Sequence, residues 1–499
     1  MTAPTAILDC RSTGKTTLCL DHIRVISDKF SQTALLELEK KFKMEKMSGE
    51  NVAEYPFQVR EKLVDRVLLI IGTSNNGARL IWDIFANAKL KVILVGHKFN
   101  NEEKSKVHEV ISYDYYSDPS DVDKHTNNII QLLGERVKYI DGCFTFTEED
   151  IIITAVICQR LGLTGFSPEA AENVRSKYKT YEVLRSKSTD TVNETERYSP
   201  LSYRIRSEND IKRATKIKYP AILKPEQDAG SWGVIKVNSE DECILHFTRI
   251  QNSFDTSRFG GNFGKTMVLM EFLDGLSYNV DLVIYNGELM TALIGDVGLY
   301  LSNRFIDTST CHPTNLTSDA KDQVITAAHL CCCKIGLVNG VFNTEWKITE
   351  SGPKLVEING RIAAYRRSIV YKTTHGVILW EIAAAIACGI KPLFPNTSIK
   401  CFAVGAYLYT QYHGEHFFRE GVYNKLKSLA DANVILLEMY CDISDILNDF
   451  TEFPLSFCHI VALSRTGKSH ARRVLIKLYR DLGFSLNEYD IEWFTSVWK

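Results

Sequence analysis

The chain has 499 residues, 24% of them charged and 45% hydrophobic, with a formal net charge of -2. That length exceeds what a single hydrophobic core ordinarily serves and predicts roughly three or four domains. The near-neutral balance argues against nucleic acid or an anionic membrane surface as the main partner, and no apolar run reaches the roughly 20 residues that cross a bilayer.

Residues 1–65 are the least informative stretch. They lack the apolar core of a signal peptide. The RSTGKTT run around Gly14, Lys15 and Thr16 falls short of a phosphate loop: Asp9 stands where the pattern needs glycine, and no adequate apolar strand precedes it. SRTGKS, at Gly467, Lys468 and Ser469, fails too, with Ala462 at the first glycine position. Residues 32–47 read as a helix rich in Lys and Glu.

At Arg66 the texture changes. Residues 67–72, VLLIIG, form a continuous apolar run of the kind found in buried parallel strands, followed by the turn TSNNGA. A helix over 79–88 and a strand over 91–96 complete the opening of a doubly wound α/β domain. GTSNNG does not match the dinucleotide fingerprint, so a nicotinamide cofactor has no support. Residues 142–146 and a helix ending near Leu161 close this unit.

Helical stretches with Lys177, Tyr178 and Lys179 follow, then a polar loop over 186–199. In residues 218–237, two β-rich runs flank Ala229, Gly230, Ser231, Trp232 and Gly233. Small residues let the backbone approach an anion, so this turn is either a phosphate cradle or an ordinary hairpin, with Lys224 placed to neutralise phosphate charge. Residues 267–275 predict a buried strand, and 278–295 a hairpin turning at Asn286 and Gly287. A helix is expected over 319–335, where Cys331, Cys332 and Cys333 pack. The thirteen cysteines, an odd count, favour reduced thiols in a cytoplasm, and no spacing suggests a zinc site.

The most chemical stretch is 341–367. Residues 342–348 and 354–358 read as strands joined by the turn Ser351, Gly352, Pro353. Glu357 and Asn359 are two apart and share a side, and Glu345 can meet them across the hairpin. Two carboxylates and an amide oxygen suit Mg²⁺ that takes its other ligands from phosphates and water; the alternative is a solvated surface hairpin. Arg361 adds a planar cation. Beyond it come a helix over 375–387, a β-rich run over 401–409, and helices over 423–430 and 471–482.

The order of these pieces resembles the ATP-grasp superfamily, in particular its carboxylate–amine ligases: the L-amino acid ligases (dipeptide synthetases) and the catalytic half of the carnosine synthases. The resemblance covers residues 66–389 well and extends into the C-terminal segment. It implies an α/β fold, α+β in the nucleotide-binding part. An N-terminal segment of unknown role would span 1–65, a preceding α/β domain 66–165, and the ATP-grasp domain 166–395, with its lid at about 200–270 and catalytic part at 271–395. A small β-rich α+β subdomain would occupy 396–499.

Carried over by position, the resemblance makes Lys177 and Lys224 the phosphate lysines and Gly230, Ser231, Trp232 and Gly233 the lid loop. Glu271, Phe272 and Leu273 would meet adenine, and Glu345, Glu357 and Asn359 would hold Mg²⁺, or Mn²⁺ in its place. Arg361 would touch the transferred phosphate or the carboxylate substrate, and with Lys224 would form the catalytic set. The usual ribose-binding glutamate is Ser277 here, leaving Asp281 or Asp274 as substitutes; Gly360 replaces a proline, and Ala363 and Ala364 a glycine pair. Arg304, Asp307 and His312 fall where acceptor residues lie in the amino acid ligases, while Arg366 and Arg367 either hold a second carboxylate or form a solvated pair. The implied activity is ATP-dependent coupling of a small-molecule carboxylate to an amine through an acyl phosphate, in the cytoplasm, with no nucleic acid or membrane partner. Family members are often dimers, which makes a homodimer an expectation. The competing reading is a nucleotide-binding regulatory or scaffold protein on a degenerate ATP-grasp fold.

Overall fold

Val67–Ile71 (β1) is apolar throughout because both of its faces are covered. In the computed structural model, Leu68 and Ile70 pack with Ile81, Trp82 and Phe85 on one face, while Leu69 and Ile71 pack with Ile129, Leu133 and Ile157 on the other. The structure describes residues 57–72, 79–97, 99–115, 121–186, 194–227, 230–253, 266–301, 305–363, 365–394, 399–417, 419, 421–439 and 456–498. The phosphate-loop-like run near Gly14 and the helix expected over 32–47 lie outside them. The first described helix, Phe57–Leu63, docks through Arg60, which donates at 2.6 Å to the fully buried Glu381.

Lys91–Gly96 (β2), Glu109–Ser112 (β3) and Gly142–Phe144 (β4) join β1 in a parallel sheet of order β3-β2-β1-β4. Helices Arg79–Asn87 and Ile151–Leu161 cover it, as parallel pairing requires. A second sheet is antiparallel: Ser202–Ile205 (β5), Ala221–Pro225 (β6), Ile235–Val237 (β7) and Met267–Glu271 (β8), in the order β5-β8-β6-β7. Its core of Ile205, Leu223 and Leu269 packs on Ile211 and Phe247 from helices Glu208–Arg213 and Glu240–Ser253.

The third sheet has eight strands: Leu276–Tyr285 (β9), Glu288–Val297 (β10), Ser309–His312 (β11), Gly340–Thr349 (β12), Gly352–Asn359 (β13), Phe402–Tyr409 (β14), Ile435–Met439 (β15) and Ser456–Ser464 (β16). Their order is β13-β12-β9-β10-β11-β14-β16-β15. Asn286 and Gly287, with φ of 50° and 78°, make the tight turn between β9 and β10. One face of this sheet is apolar: Tyr278, Val280, Leu282, Phe342, Trp346 and Ile358 pack on the helix Ser318–Ile335, which buries Cys331 and Cys332. The other face carries the polar residues that matter below.

In the C-terminal segment β14 pairs with β11, so β14, β16 and β15 extend the central sheet. Hydrophobic pattern says that a strand is buried but not which edge it joins. One expectation changes: the helix expected over 375–387 starts only at Leu379 and runs to Ala387, separated at Gly376, whose φ is 73°, from a preceding helix, Tyr365–His375. Among the described residues no helix is long and apolar enough to cross a membrane, and ten cysteines are free thiols.

Candidate active site

Register builds the site. In β12 and β13, Glu345 stands opposite Glu357 and Asn343 opposite Asn359. On the other side of β12, Glu345 faces Asn279, Asn343 faces Asp281, and Lys347 faces Ser277. Alternation puts all of these on the face away from Trp346 and Phe342. The hairpin therefore presents the acids together, as its residue spacing predicts.

Both expected phosphate lysines reach them. Lys177 Nζ lies 2.9 Å from Glu357 Oε1. Lys224 projects from β6, 4% exposed, and donates to the Tyr181 hydroxyl at 2.9 Å and the Val356 carbonyl at 3.1 Å. Burial lowers the Lys224 pKa, and Glu357 and Glu345 oppose that. Burial, then Glu357, then Asp307 push the Glu345 carboxyl up to about 7, against Arg367 and Lys224. Two carboxylates crowded this way in a partly desolvated cleft hold hard oxygen donors that a divalent cation would relieve, so the donor set fits Mg²⁺.

The loop after Lys224 is fastened at its root. Glu226, nearly fully buried, accepts from Ser176 and from Arg204 at 2.7 Å, while its carbonyl accepts from the Lys177 amide at 3.1 Å. Gly230, Ser231 and Gly233 have φ of 70°, 60° and 66°, a left-handed run that a glycine-rich segment tolerates. Ser231 donates to the Phe305 carbonyl at 3.0 Å, bringing the loop onto the segment that carries Asp307; Trp232 is half-buried beside it. At the strand exit, Glu271 exchanges hydrogen bonds with the Leu201 backbone at 2.9 Å, Phe272 lies 4.2 Å under the Lys236 ammonium, and Leu273 is buried.

Other expected residues are placed differently. Arg361 is bonded to Glu148 at 2.8 Å and to the Ile362 carbonyl at 3.1 Å. β13 ends at Asn359, and the chain turns at Gly360, where a Cβ would sit 2.7 Å from Val174; the guanidinium is thereby drawn to the first domain. It lines an apolar cavity with Phe144, Ile151, Phe342 and Ile362 that contains none of the acids. The arginine whose charge acts on Glu345, alongside Lys224, is Arg367, on the helix Tyr365–His375. Burial works against its charge, yet Asp281, Tyr371, Tyr407 and Glu345 raise its pKa. Its Nη1 is 3.6 Å from Asp281 Oδ2 and has no hydrogen-bond partner among the described residues. The Arg366 side chain and Arg304 lie outside the described residues.

Asp281 is corrected as a substitute ribose contact. It is 0% exposed, accepts from Asn343 at 3.1 Å and from Tyr371 at 2.8 Å, and sits two alternations beyond Ser277, away from the strand exit. At Ser277 itself the neighbours are Tyr300, donating at 2.7 Å, and Lys347, which donates to the Gly275 carbonyl at 2.9 Å. Burial lowers Lys347 to about 8. Asp307 lies in the site, its charge felt by Glu345, Tyr300 and Lys347. His312 is 2% exposed and held neutral by burial first and Arg367 second; its ring lies against Gly295 and edge-on to Tyr371 at 5.1 Å. His312 Nδ1 and Asn279 Oδ1 have no partner among the described residues. Asn279, Asn343 and Lys347 escape sequence reading because lone polar strand residues carry no motif; only their two-residue spacing from Ser277, Asp281 and Glu345 hints at a shared face, and Tyr371, on a helix, has not even that.

Residues 217–368 match the model of the ATP-grasp domain. Carnosine synthase 1 of Homo sapiens is 29% identical over 438 residues, 87% of this chain and 52% of that protein. The alanine–anticapsin ligase of Bacillus subtilis is 25% identical over 297 residues, 56% of this chain and 61% of that one. The chain thus spans about half the length of the carnosine synthases it matches. Among solved structures, the L-amino acid ligase from Bacillus licheniformis superposes with a TM-score of 0.65 at 17% identity, covering 84% of this chain and 98% of that one. Lys224, Glu345, Glu357 and Asn359 therefore fall within the stretch that matches the ATP-grasp domain, with Lys177 reaching them from outside it, in a chain of ATP-grasp fold that is homologous to carnosine synthase and alanine–anticapsin ligase.

Proposed function

We propose that the protein is an ATP-dependent ligase that activates a small-molecule carboxylate, commonly of an amino acid, as an acyl phosphate and joins it to an amine. The observation that carries this reading is the convergence of Lys177 and Lys224, from a helix and a neighbouring sheet, on the face that carries Glu345 and Glu357, with three of the four residues in the stretch that matches the ATP-grasp domain. The homologues carnosine synthase and alanine–anticapsin ligase support the reaction class. The free thiols and the lack of a crossing helix among the described residues support a cytoplasmic setting.

A carboxylate does not acylate an amine in water because its oxide is a poor leaving group. In the proposed reaction a substrate carboxylate oxygen attacks the γ-phosphorus of ATP and ADP departs. The amine nitrogen then attacks the acyl carbon, expels phosphate and loses a proton. Lys224 and Lys177 would neutralise phosphate charge, and the Gly230–Gly233 loop would exclude water from the acyl phosphate. The backbone at Glu271 and Leu273 would meet adenine. Ser277 and Lys347, rather than Asp281, would face the ribose. Glu345, Glu357 and Asn359 would hold the divalent cation, Mg²⁺ or Mn²⁺, which supplies charge stabilisation across the β- and γ-phosphates when bound. Arg367 would anchor the substrate carboxylate beside Glu345, a role supported by an Nη1 that makes no hydrogen bond among the described residues, and Asp307 would accept the amine's proton. Arg361, engaged with Glu148, would position the Asn359 strand end against the first domain.

The test is a screen of amino acid and amine pairs for phosphate release, with mass spectrometry of the products. Substrate-dependent release with a new amide is the expected result. ATP binding without turnover on any pair would leave the nucleotide-binding scaffold reading.

A further inference from the structure

We propose that Asp281 and Asn343 are positioning residues that fix the Asn359 side-chain amide with its oxygen presented to the divalent cation. This rests on the ligase reading, since it takes Asn359 as a metal ligand.

Three neighbouring strands carry the residues in one register: Asn343 of β12 lies between Asp281 of β9 and Asn359 of β13. All are buried, and they are linked in a line. Asn343 donates Nδ2 to Asp281 Oδ1 at 3.1 Å, and Asn359 donates Nδ2 to Asn343 Oδ1 at 3.1 Å. An ionised carboxylate can only accept, whereas an amide has one donating end and one accepting end. Asp281 therefore dictates which way Asn343 faces, and Asn343 dictates which way Asn359 faces. The end left over at Asn359 is Oδ1.

In this relay both Asp281 oxygens accept, Oδ1 from Asn343 and Oδ2 from Tyr371. Burial raises the Asp281 pKa, against Arg367, Tyr371 and Asn343. Tyr371 donates to Oδ2 at 2.8 Å and Arg367 stands 3.6 Å away. A reversed relay would offer the Asn359 nitrogen, with its hydrogens, to a cation. An unanchored amide would have to be turned at the moment of binding. Loss of a partner that orients a metal ligand typically costs about 10- to 100-fold in metal affinity.

The discriminating experiment uses the full chain and measures Mn²⁺ binding in the presence of ADP, by electron paramagnetic resonance of the free ion, alongside thermal unfolding. Asn343→Leu is expected to weaken Mn²⁺ binding by at least about 10-fold while the chain stays folded. Asn359→Asp presents an oxygen whichever way it turns. The double variant should therefore bind within about threefold of Asn359→Asp alone, because orientation no longer matters. Wild-type affinity in Asn343→Leu, or a double variant as weak as Asn343→Leu, overturns the proposal. Should Asn343→Leu fail to fold, Asp281→Asn, of nearly the same shape, takes its place with the same expected weakening and the same rescue. A wild-type chain that binds no Mn²⁺ with ADP overturns the ligase reading itself, an outcome distinct from failure in the variants alone.

Discussion

Lys177 Nζ and Glu357 Oε1 form a 2.9 Å ion pair with little solvent exposure on either side, joining the helix that precedes the glycine loop to the strand that carries the metal-ligand candidates. A nucleotide phosphate and a divalent cation would divide this pair between them. Removing either partner strands a charge in a poorly solvated place. Lys177→Met is expected to lower turnover by at least about 100-fold, and the double variant Lys177→Met/Glu357→Gln to lose much less than the product of the two single losses. Steady-state kinetics of the four proteins checks it; independent, multiplying losses would show that the two residues do not act as a unit.

Among the described residues Lys224 donates to the Tyr181 hydroxyl and the Val356 carbonyl and to no carboxylate, which leaves its charge for an incoming phosphate. Lys224→Ala is expected to cost at least about 100-fold in turnover with the true substrates, as loss of one preorganised electrostatic group does. ATP consumption near the wild-type rate would remove Lys224 from the machinery.

The Glu345 carboxyl, raised from its ordinary 4.5 to about 7, gives a pH signature. In the metal-free protein the folded state keeps a proton that the unfolded chain releases. Stability from this group is therefore present at low pH and lost as pH rises from about 4.5 to about 7. Cation binding must displace that proton, so affinity for Mg²⁺–ADP climbs up to about pH 7 and flattens above it. Melting temperatures measured across that range with and without Mg²⁺–ADP test both slopes, and Glu345→Gln should abolish them. A metal-free wild type whose slope equals that of Glu345→Gln would contradict the assignment.

Arg367 acts on Glu345 together with Lys224, and its Nη1, ion-paired with Asp281 at 3.6 Å, makes no hydrogen bond among the described residues. Arg367→Lys keeps the charge but not the planar fork. It is expected to raise KM for the carboxylate substrate by about 10-fold or more while KM for ATP moves by less than about threefold. Equal effects on both substrates would mean that Arg367 only supports the fold through Asp281.

Gly295 bears the His312 ring directly: a Cβ there would lie 2.2 Å from His312 Cε1. Gly295→Ala should destabilise the fold by about 1–3 kcal/mol, as overpacking in a buried site does. Adding His312→Ala should return much of that loss. Chemical denaturation of the two variants reads it directly, and no recovery in the pair would place the strain elsewhere.

Much of this site was legible in the residues themselves. The pairing of Glu345 with Glu357 follows from a turn of known length and strands of period two, both local properties. Lys224 and the glycine loop sit between two apolar runs, again a short-range pattern. The direction of the Arg361 side chain is not legible because the strand stops two residues before it, and past a strand end direction is set by whatever packs there, here Val174 and Glu148. Asn279, Asn343 and Tyr371 carry no motif and gain meaning only from β9 lying beside β12 and the helix Tyr365–His375 crossing over them.

Taken alone, the sequence determined the elements, the face on which each strand hides its apolar side chains, and the identity of the acids and lysines. These depend on covalent spacing, which a chain carries with it whether folded or not. Tertiary structure decided which cation faces the acids, what Asp281 is for, and that the C-terminal strands finish the central sheet. Those outcomes depend on pairings between segments far apart in the chain, such as Asp281 with Asn343, and a contact of that kind exists only once competing burials have been settled over the whole molecule.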